Sequence, residues 1–478
     1  MTAQTKTGEA NQLRHGTLGL GFIIFFVISA AGPLVAIAGG FPIGMMLGDG
    51  AGTPALLVFT VAVLLAFSAG YTAMARYITN AGGFYAFIDA GLGRVPGAAS
   101  ALVALLGYNT MQIGLYGMFG AVSSGFLAAK FGVTVPWWAC AFAAMASIAV
   151  LGYRQIDLSA KVLSILVIGE YLVVLVLDIA ILHAGGAHGV TLTSFTPHAI
   201  FSGAPSIGLL FCFAAFIGFE ATTIYGEEAK NPKRTIPLAT YLSVLLIGIF
   251  YTFSIWCMVI GAGADNVVKT LTALSDPTTF LYTLSYHYAN QTLSLAMSVL
   301  FITSIYAGLI AFHNSAARYF YATGREGLLP KVLGRTHRTH QSPHIGSLLQ
   351  SALALIVVTI FVISGADPVL ALFSWFTNIA TLCVIALMAL TSFAVLAFFK
   401  GRAIATEGTL RTVIFPVISG VLLLGVLVLA IANFDVLTGA SKTISYALTS
   451  LLPIAAIAGA LLARRPSKFP LNAEAPGS

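Results

Sequence analysis

Residues Phe213 to Ala239 read FAAFIGFEATTIYGEEAKNPKRTIPLA, an apolar segment interrupted by Gly218 and Glu220 that leaves through Glu227-Glu228, Asn231-Pro232 and Lys233-Arg234. In lipid every backbone amide must find its partner within the protein. A carboxyl beside a glycine inside an apolar span is therefore costly, and is kept where it faces a cavity or a buried partner. The stretch predicts a membrane span broken at a site.

The rest of the chain agrees with that reading. Of its 478 residues 58% are hydrophobic and 8% charged, with a mean hydropathy of +0.94, which excludes a soluble domain of this length. Apolar runs of the roughly 20 residues needed to cross about 30 Å of hydrocarbon recur throughout. Twelve are expected, near 18–47, 54–78, 97–129, 136–152, 158–184, 199–227, 236–262, 292–322, 345–364, 367–398, 411–433 and 442–463. Residues 1–17 and 464–478 form short polar tails, and nothing in the first segment reads as a cleaved signal.

Counting the connections alternately, one side collects most of the basic residues. They include Arg14, Arg76, Arg94, Arg154, Lys161, Lys230, Lys233, Arg234, Arg318, Arg325, Arg338, Arg402, Arg411, Arg465 and Lys468. The other side keeps Lys130, Lys269 and Lys442. By the positive-inside rule both termini are expected in the cytoplasm of a cell whose inner membrane holds the chain. This asymmetry accounts for the net charge of +7 without a nucleic-acid partner, and membrane lipids are the expected surroundings. Cys140, Cys212, Cys257 and Cys383 all fall within spans and read as small apolar side chains.

Two spans carry helix-breaking residues at corresponding places, Ser29-Ala30-Ala31-Gly32-Pro33 in the first and Ala214-Ala215-Phe216-Ile217-Gly218 in the sixth. An interruption that returns after five spans is the mark of an inverted repeat whose broken helices meet at mid-membrane. The expected organisation is residues 18–184 (spans one to five), 199–398 (six to ten) and 411–463 (eleven and twelve). Taken singly, either interruption can also be a simple packing kink.

The motifs Asn80-Ala81-Gly82-Gly83-Phe84-Tyr85, Gly218-Phe219-Glu220 with Glu227-Glu228 and Asn231 to Pro237, and Gly324-Arg325-Glu326-Gly327-Leu328-Leu329-Pro330 together resemble the amino acid-polyamine-organocation superfamily of permeases. The resemblance spans essentially the whole chain. It implies an all-α membrane protein of the LeuT type, with five-plus-five inverted repeats, helices one and six broken, and twelve transmembrane helices. Its implied substrate is an amino acid, and polyamines or other organic amines are the alternative. The substrate carboxylate would meet amides near Ala30, Ala31 and Gly32, and the amino group carbonyls near Ala214, Phe216 and Ile217. Tyr108, Tyr116 and Trp375 would line the pocket. This chain departs from the usual Gly-Ser-Gly or Gly-Ala-Gly run in span one. In span five it places Glu170 where several relatives have a lysine at a sodium-like position.

Glu170 lies about 12 residues, roughly 18 Å, above the start of its helix. Glu170 and Glu220 are the candidates for a coupling proton, the alternative for each being a structural hydrogen bond. Asp178 is read as hydrated at the end of span five. Glu227 and Glu228 with Arg76 and Arg325 are expected to close a cytoplasmic gate. No nucleotide loop, metal spacing or catalytic dyad is present, so neither enzyme nor cofactor is expected. A secondary transporter working by proton-coupled uptake is the expected function, with a substrate-sensing receptor of the same fold as the rival from another class.

Overall fold

The computed structural model describes residues 16–80, 82–154, 160–274, 276–337, 339–400 and 407–464. The two tails with Arg14, Arg465 and Lys468, together with Ala81, Arg338 and Arg402, lie outside the described residues, as do the side chains of Arg154 and Lys161.

Among the described residues eleven helices are long and apolar enough to cross a membrane, and the shorter apolar Trp137–Arg154 takes the fourth place in their order. Span one is Leu20–Ala31 followed by Val35–Gly40 and Phe41–Leu47; span two is Thr53–Ala75; span three is Arg94–Phe131; span five is Ala160–Ala184. Span six starts as Pro205–Ala214 and resumes as the tight turn Phe219–Thr223; span seven is Pro232–Ala262; span eight is Gln291–Arg325; span nine is His344–Ser364. Span ten is Pro368–Phe373 with Ser374–Lys400, span eleven Phe415–Ala432 and span twelve Lys442–Ala463.

Span five shows how sequence sets orientation in lipid. Ile165, Ile168, Leu172, Val176 and Ile179 form an exposed apolar stripe, whereas Val167, Glu170, Val174, Asp178 and Ile181 are buried on the opposite face. Both stripes follow helical spacing. The polar positions therefore face protein and the apolar ones the hydrocarbon.

Span three is the central post, packing against spans eight, ten and twelve, while spans two and seven pack along each other. Between spans seven and eight the chain makes an excursion through Val267–Ala273, Pro277–Thr279 and the short helix Phe280–Tyr288. That excursion and the turn between spans eleven and twelve lie on the face opposite to the one where the described chain begins.

Candidate functional site

Both interruptions are real breaks, and they touch. Helix Leu20–Ala31 ends at Gly32, which has φ +55° and donates its N–H to Ile28 O at 3.0 Å. Pro33 follows without an N–H, so the ladder cannot continue. In span six, Gly218 has φ +115°, and a Cβ there would stand 2.7 Å from the Ala30 side chain. Only glycine lets the two broken segments approach this closely.

Glu220 folds back onto its own break. Its Oε2 accepts the Gly218 N–H at 2.9 Å and its Oε1 accepts the Tyr108 hydroxyl at 2.7 Å, while the Tyr71 hydroxyl donates to its main-chain carbonyl at 3.0 Å. Tyr108 packs 5.1 Å from the ring of Tyr319, whose hydroxyl accepts the Phe84 N–H at 3.2 Å. Glu220 thus ties the sixth span to the second and third, and both of its oxygens are occupied.

Glu170 reaches the other break. Its Oε2 accepts the Leu34 N–H at 3.3 Å, the first amide after Pro33, and the Ser304 hydroxyl of span eight at 2.7 Å. Its Oε1 is buried without a partner. The Tyr251 hydroxyl of span seven donates to Ala31 O at 3.3 Å. Asp178, expected at the solvated end of span five, is instead wholly buried because span five turns this face inward, and its Oδ2 accepts the Ser254 hydroxyl at 2.6 Å.

A cavity of about 540 Å³ lies over the two breaks. Ala30, Ala31, Gly32, Ala214, Ile217 and Trp375 line it; Phe216, Tyr108 and Tyr116 do not. Phe216 packs edge-on to Tyr251, Tyr108 is bound to Glu220, and Tyr116 accepts the Gln112 side-chain amide at 3.1 Å. The amides of the first break are also partly spent, since Gly32 donates within its helix and Leu34 to Glu170. Most of the wall is apolar, with Met111, Leu115, Phe312 and Phe373, and polar groups come from Thr377, Asn378 and Thr381. Asp276 is the one carboxylate among the lining residues. Its Oδ1 accepts both the N–H and the hydroxyl of Thr278, at 2.9 and 2.8 Å. The other lining groups, Asp276 to Thr278 and Val436 to Gly439, come from connections on one face of the bundle.

The opposite face is sealed. Arg318 Nε and Nη2 donate to the two oxygens of Glu228 at 2.8 and 3.1 Å, and its guanidinium lies 4.6 Å over the Tyr225 ring. Arg325 makes a second bidentate pair with Glu227, at 2.6 and 3.0 Å. The N–H groups of Thr17 and Leu18 donate to Glu228 O, and Lys230 N–H donates to Leu18 O at 2.7 Å, stitching the start of span one to the end of span six. Arg76 stands apart from this cluster: it pairs with Glu407 at 2.8 Å, as Arg411 does at 3.5 Å. Two of the sequence motifs meet nearby, Asn80 donating to Glu326 Oε1 at 3.0 Å. Burial pushes the Glu326 carboxyl up, against the pull of Asn80 and Tyr85.

Sequence reasoning did not find Arg318 as the partner of Glu228, nor His313. His313 is buried between the Gln112 amide, 3.1 Å from Nδ1, and the Ser347 hydroxyl, 2.7 Å from Nε2. The signal was available, since a histidine and an arginine within an apolar helix are costly unless paired. Among the described residues no group of histidine, cysteine or carboxylate side chains could hold a metal ion.

Known proteins align with this sequence. A branched-chain amino acid permease of Bacillus subtilis is 25% identical over 356 residues, 69% of this chain and 70% of its own length. A low-affinity putrescine importer of Escherichia coli is 25% identical over 150 residues, 31% of this chain and 32% of its own. A gamma-aminobutyric acid permease of Escherichia coli is 28% identical over 158 residues, covering 33% of this chain and 32% of its own. The chain thus spans about a third of the length of the latter two. The amino acid permease family profile matches residues 18–459, which takes in both breaks, the cavity and the sealed face. With its apolar spans and two touching breaks, this multi-pass membrane protein belongs to the amino acid permease family of transporters.

Proposed function

We propose that the chain carries amino acids with neutral, mainly apolar side chains across the cytoplasmic membrane, driven by protons through Glu170. The observation that carries the substrate reading is the state of the carboxyls. Glu220 has both oxygens occupied, and neither it nor Glu170 lines the cavity, which leaves Asp276 as the single carboxylate in its wall. A diamine needs opposed anionic groups, because burying an unpaired cation is far more costly than burying an apolar side chain. The apolar wall suits a branched or aromatic side chain instead, and the similarity to a branched-chain amino acid permease supports that choice.

Glu170 supports proton coupling by position. It bonds the restart of span one and also span eight, so a proton on its unpartnered Oε1 alters the contact across which those spans must move. In this reading Glu220 is a positioning residue that holds the sixth-span break. Spans one, two, six and seven rock against the rest about the two breaks, exchanging the open face for the sealed one. The Arg318–Glu228 and Arg325–Glu227 pairs act as the inner gate, with both termini on the cytoplasmic side as the basic loops predict. Side-by-side uptake of labelled leucine and putrescine by the reconstituted chain tests the substrate reading. Leucine uptake with putrescine at background is expected, and saturable putrescine uptake without leucine uptake would overturn it.

A further inference from the structure

Span five carries a second buried carboxyl, about 12 Å farther along the helix than Glu170 at 1.5 Å per residue. Asp178 shows no surface, its Oδ2 accepts the Ser254 hydroxyl of span seven at 2.6 Å, and its Oδ1 has no partner. Among the described residues no cation pairs with it. From span seven the facing groups are Ser254 and the thiol of Cys257, and His183 and His287 on the neighbouring helix ends are exposed. A proton on Oδ1 removes a charge that would otherwise be buried unpaired.

The helix Phe280–Tyr288 covers this end of the bundle, packing on spans five, seven and eight. Leu284 and Tyr288 of that helix converge with Ile181 of span five on Gly261 of span seven, and the Tyr288 hydroxyl donates to Gly261 O at 2.7 Å. Ser285 on the same helix is wholly buried with its hydroxyl unpartnered. The residues that lead into this helix, Asp276, Pro277 and Thr278, line the large cavity. One short segment therefore forms a wall of the substrate cavity at its start and a cover beside Asp178 at its end.

We propose that Asp178 is a second coupling carboxyl, loaded from the outer side when the segment 276–288 lifts and shielded when that segment settles over bound substrate. Oδ1 takes a proton from outer water and returns it to water on the other side after the bundle has reoriented. Ser254 holds Oδ2 across the interface between a fixed and a moving span. This rests on the proton-coupled reading given above, and it adds a second proton per substrate.

Static-head accumulation decides it, because a merely structural residue changes the rate of filling and not the final ratio. The full chain in liposomes, with membrane potential clamped, is given labelled leucine at several pH differences. The logarithm of the leucine ratio against the pH difference is expected to rise with a slope of about two, falling to about one in Asp178→Asn, about tenfold less accumulation per pH unit. Leucine counterflow without a gradient checks that the variant is folded. If it is not, Ser254→Ala decides, with a shifted outer-pH midpoint of uptake expected and an unshifted one overturning the proposal. A wild-type slope near zero overturns the proton coupling and this proposal together. An Asp178→Asn slope equal to that of the wild type overturns the Asp178 assignment and leaves the proposed function standing.

Discussion

Glu170 and Glu220 are both buried carboxyls beside a helix break, yet they differ in their free valence. Glu220 is closed by Tyr108 and Gly218, whereas Glu170 keeps one oxygen unpartnered. Glu170→Gln should therefore weaken gradient-driven accumulation, lowering its slope against the pH difference, while retaining leucine counterflow, as read in proteoliposomes. Tyr108→Phe removes a donor to a buried carboxyl and should lower stability by about 1.5–3 kcal/mol, measurable as a fall in the unfolding midpoint in detergent. Gly218→Ala sets a methyl group 2.7 Å from the Ala30 side chain at φ +115°, and transport should fall to background with the chain still inserted. The positions of both carboxyls were legible from their apolar surroundings and their distance from helix ends. Their partners were not, since Leu34, Ser304 and Tyr108 come from spans far away in sequence, and periodicity carries no information about which spans become neighbours.

Helix ends set the two faces. On the sealed face, Arg318 and Glu228 form a buried pair, and removing one partner leaves the other charged group stranded at a cost of about 3–5 kcal/mol. Arg318→Ala should shift the population toward opening on that side. A cysteine placed at Ala317, which lines the small cavity of about 200 Å³ under the pair, should then react faster with a polar thiol reagent. On the other face, Asp49 sits in the turn between spans one and two with Oδ1 on the Gly203 N–H. Burial pushes its carboxyl up to about 6, against the pull of that hydrogen bond. An acid raised on folding binds its proton more tightly in the folded chain, so its contribution is present at low pH and is lost as pH climbs from about 4 through about 6. The unfolding midpoint should fall over that range in the wild type, and the fall should be shallower in Asp49→Asn. The breaks in spans one and six could be anticipated from Gly32-Pro33 and Gly218, because those residues cannot carry a regular ladder. The role of residues 17–18 could not, since their backbone bonds to Glu228 and Lys230 leave no side-chain pattern.

At the scale of the whole molecule, two touching breaks lie beneath a cavity open on one face and sealed on the other by ion pairs. That is one of the two states an alternating-access carrier needs. Accumulation follows only when the affinity of the two states for substrate differs and an ion gradient drives their exchange. Eleven of the twelve expected spans, and the shorter apolar helix in the fourth place, were legible because membrane thickness imposes a minimum apolar length on a crossing helix. The outline of the cavity was less so. Tyr108 and Tyr116 were expected in its wall, but span three turns those rings toward Glu220 and Gln112. The most direct measurement is leucine uptake by the purified chain in liposomes with an inward proton gradient and no sodium. Concentrative uptake abolished by a protonophore is the predicted result. Uptake that only equilibrates leucine, whatever the gradient, would contradict proton-driven transport.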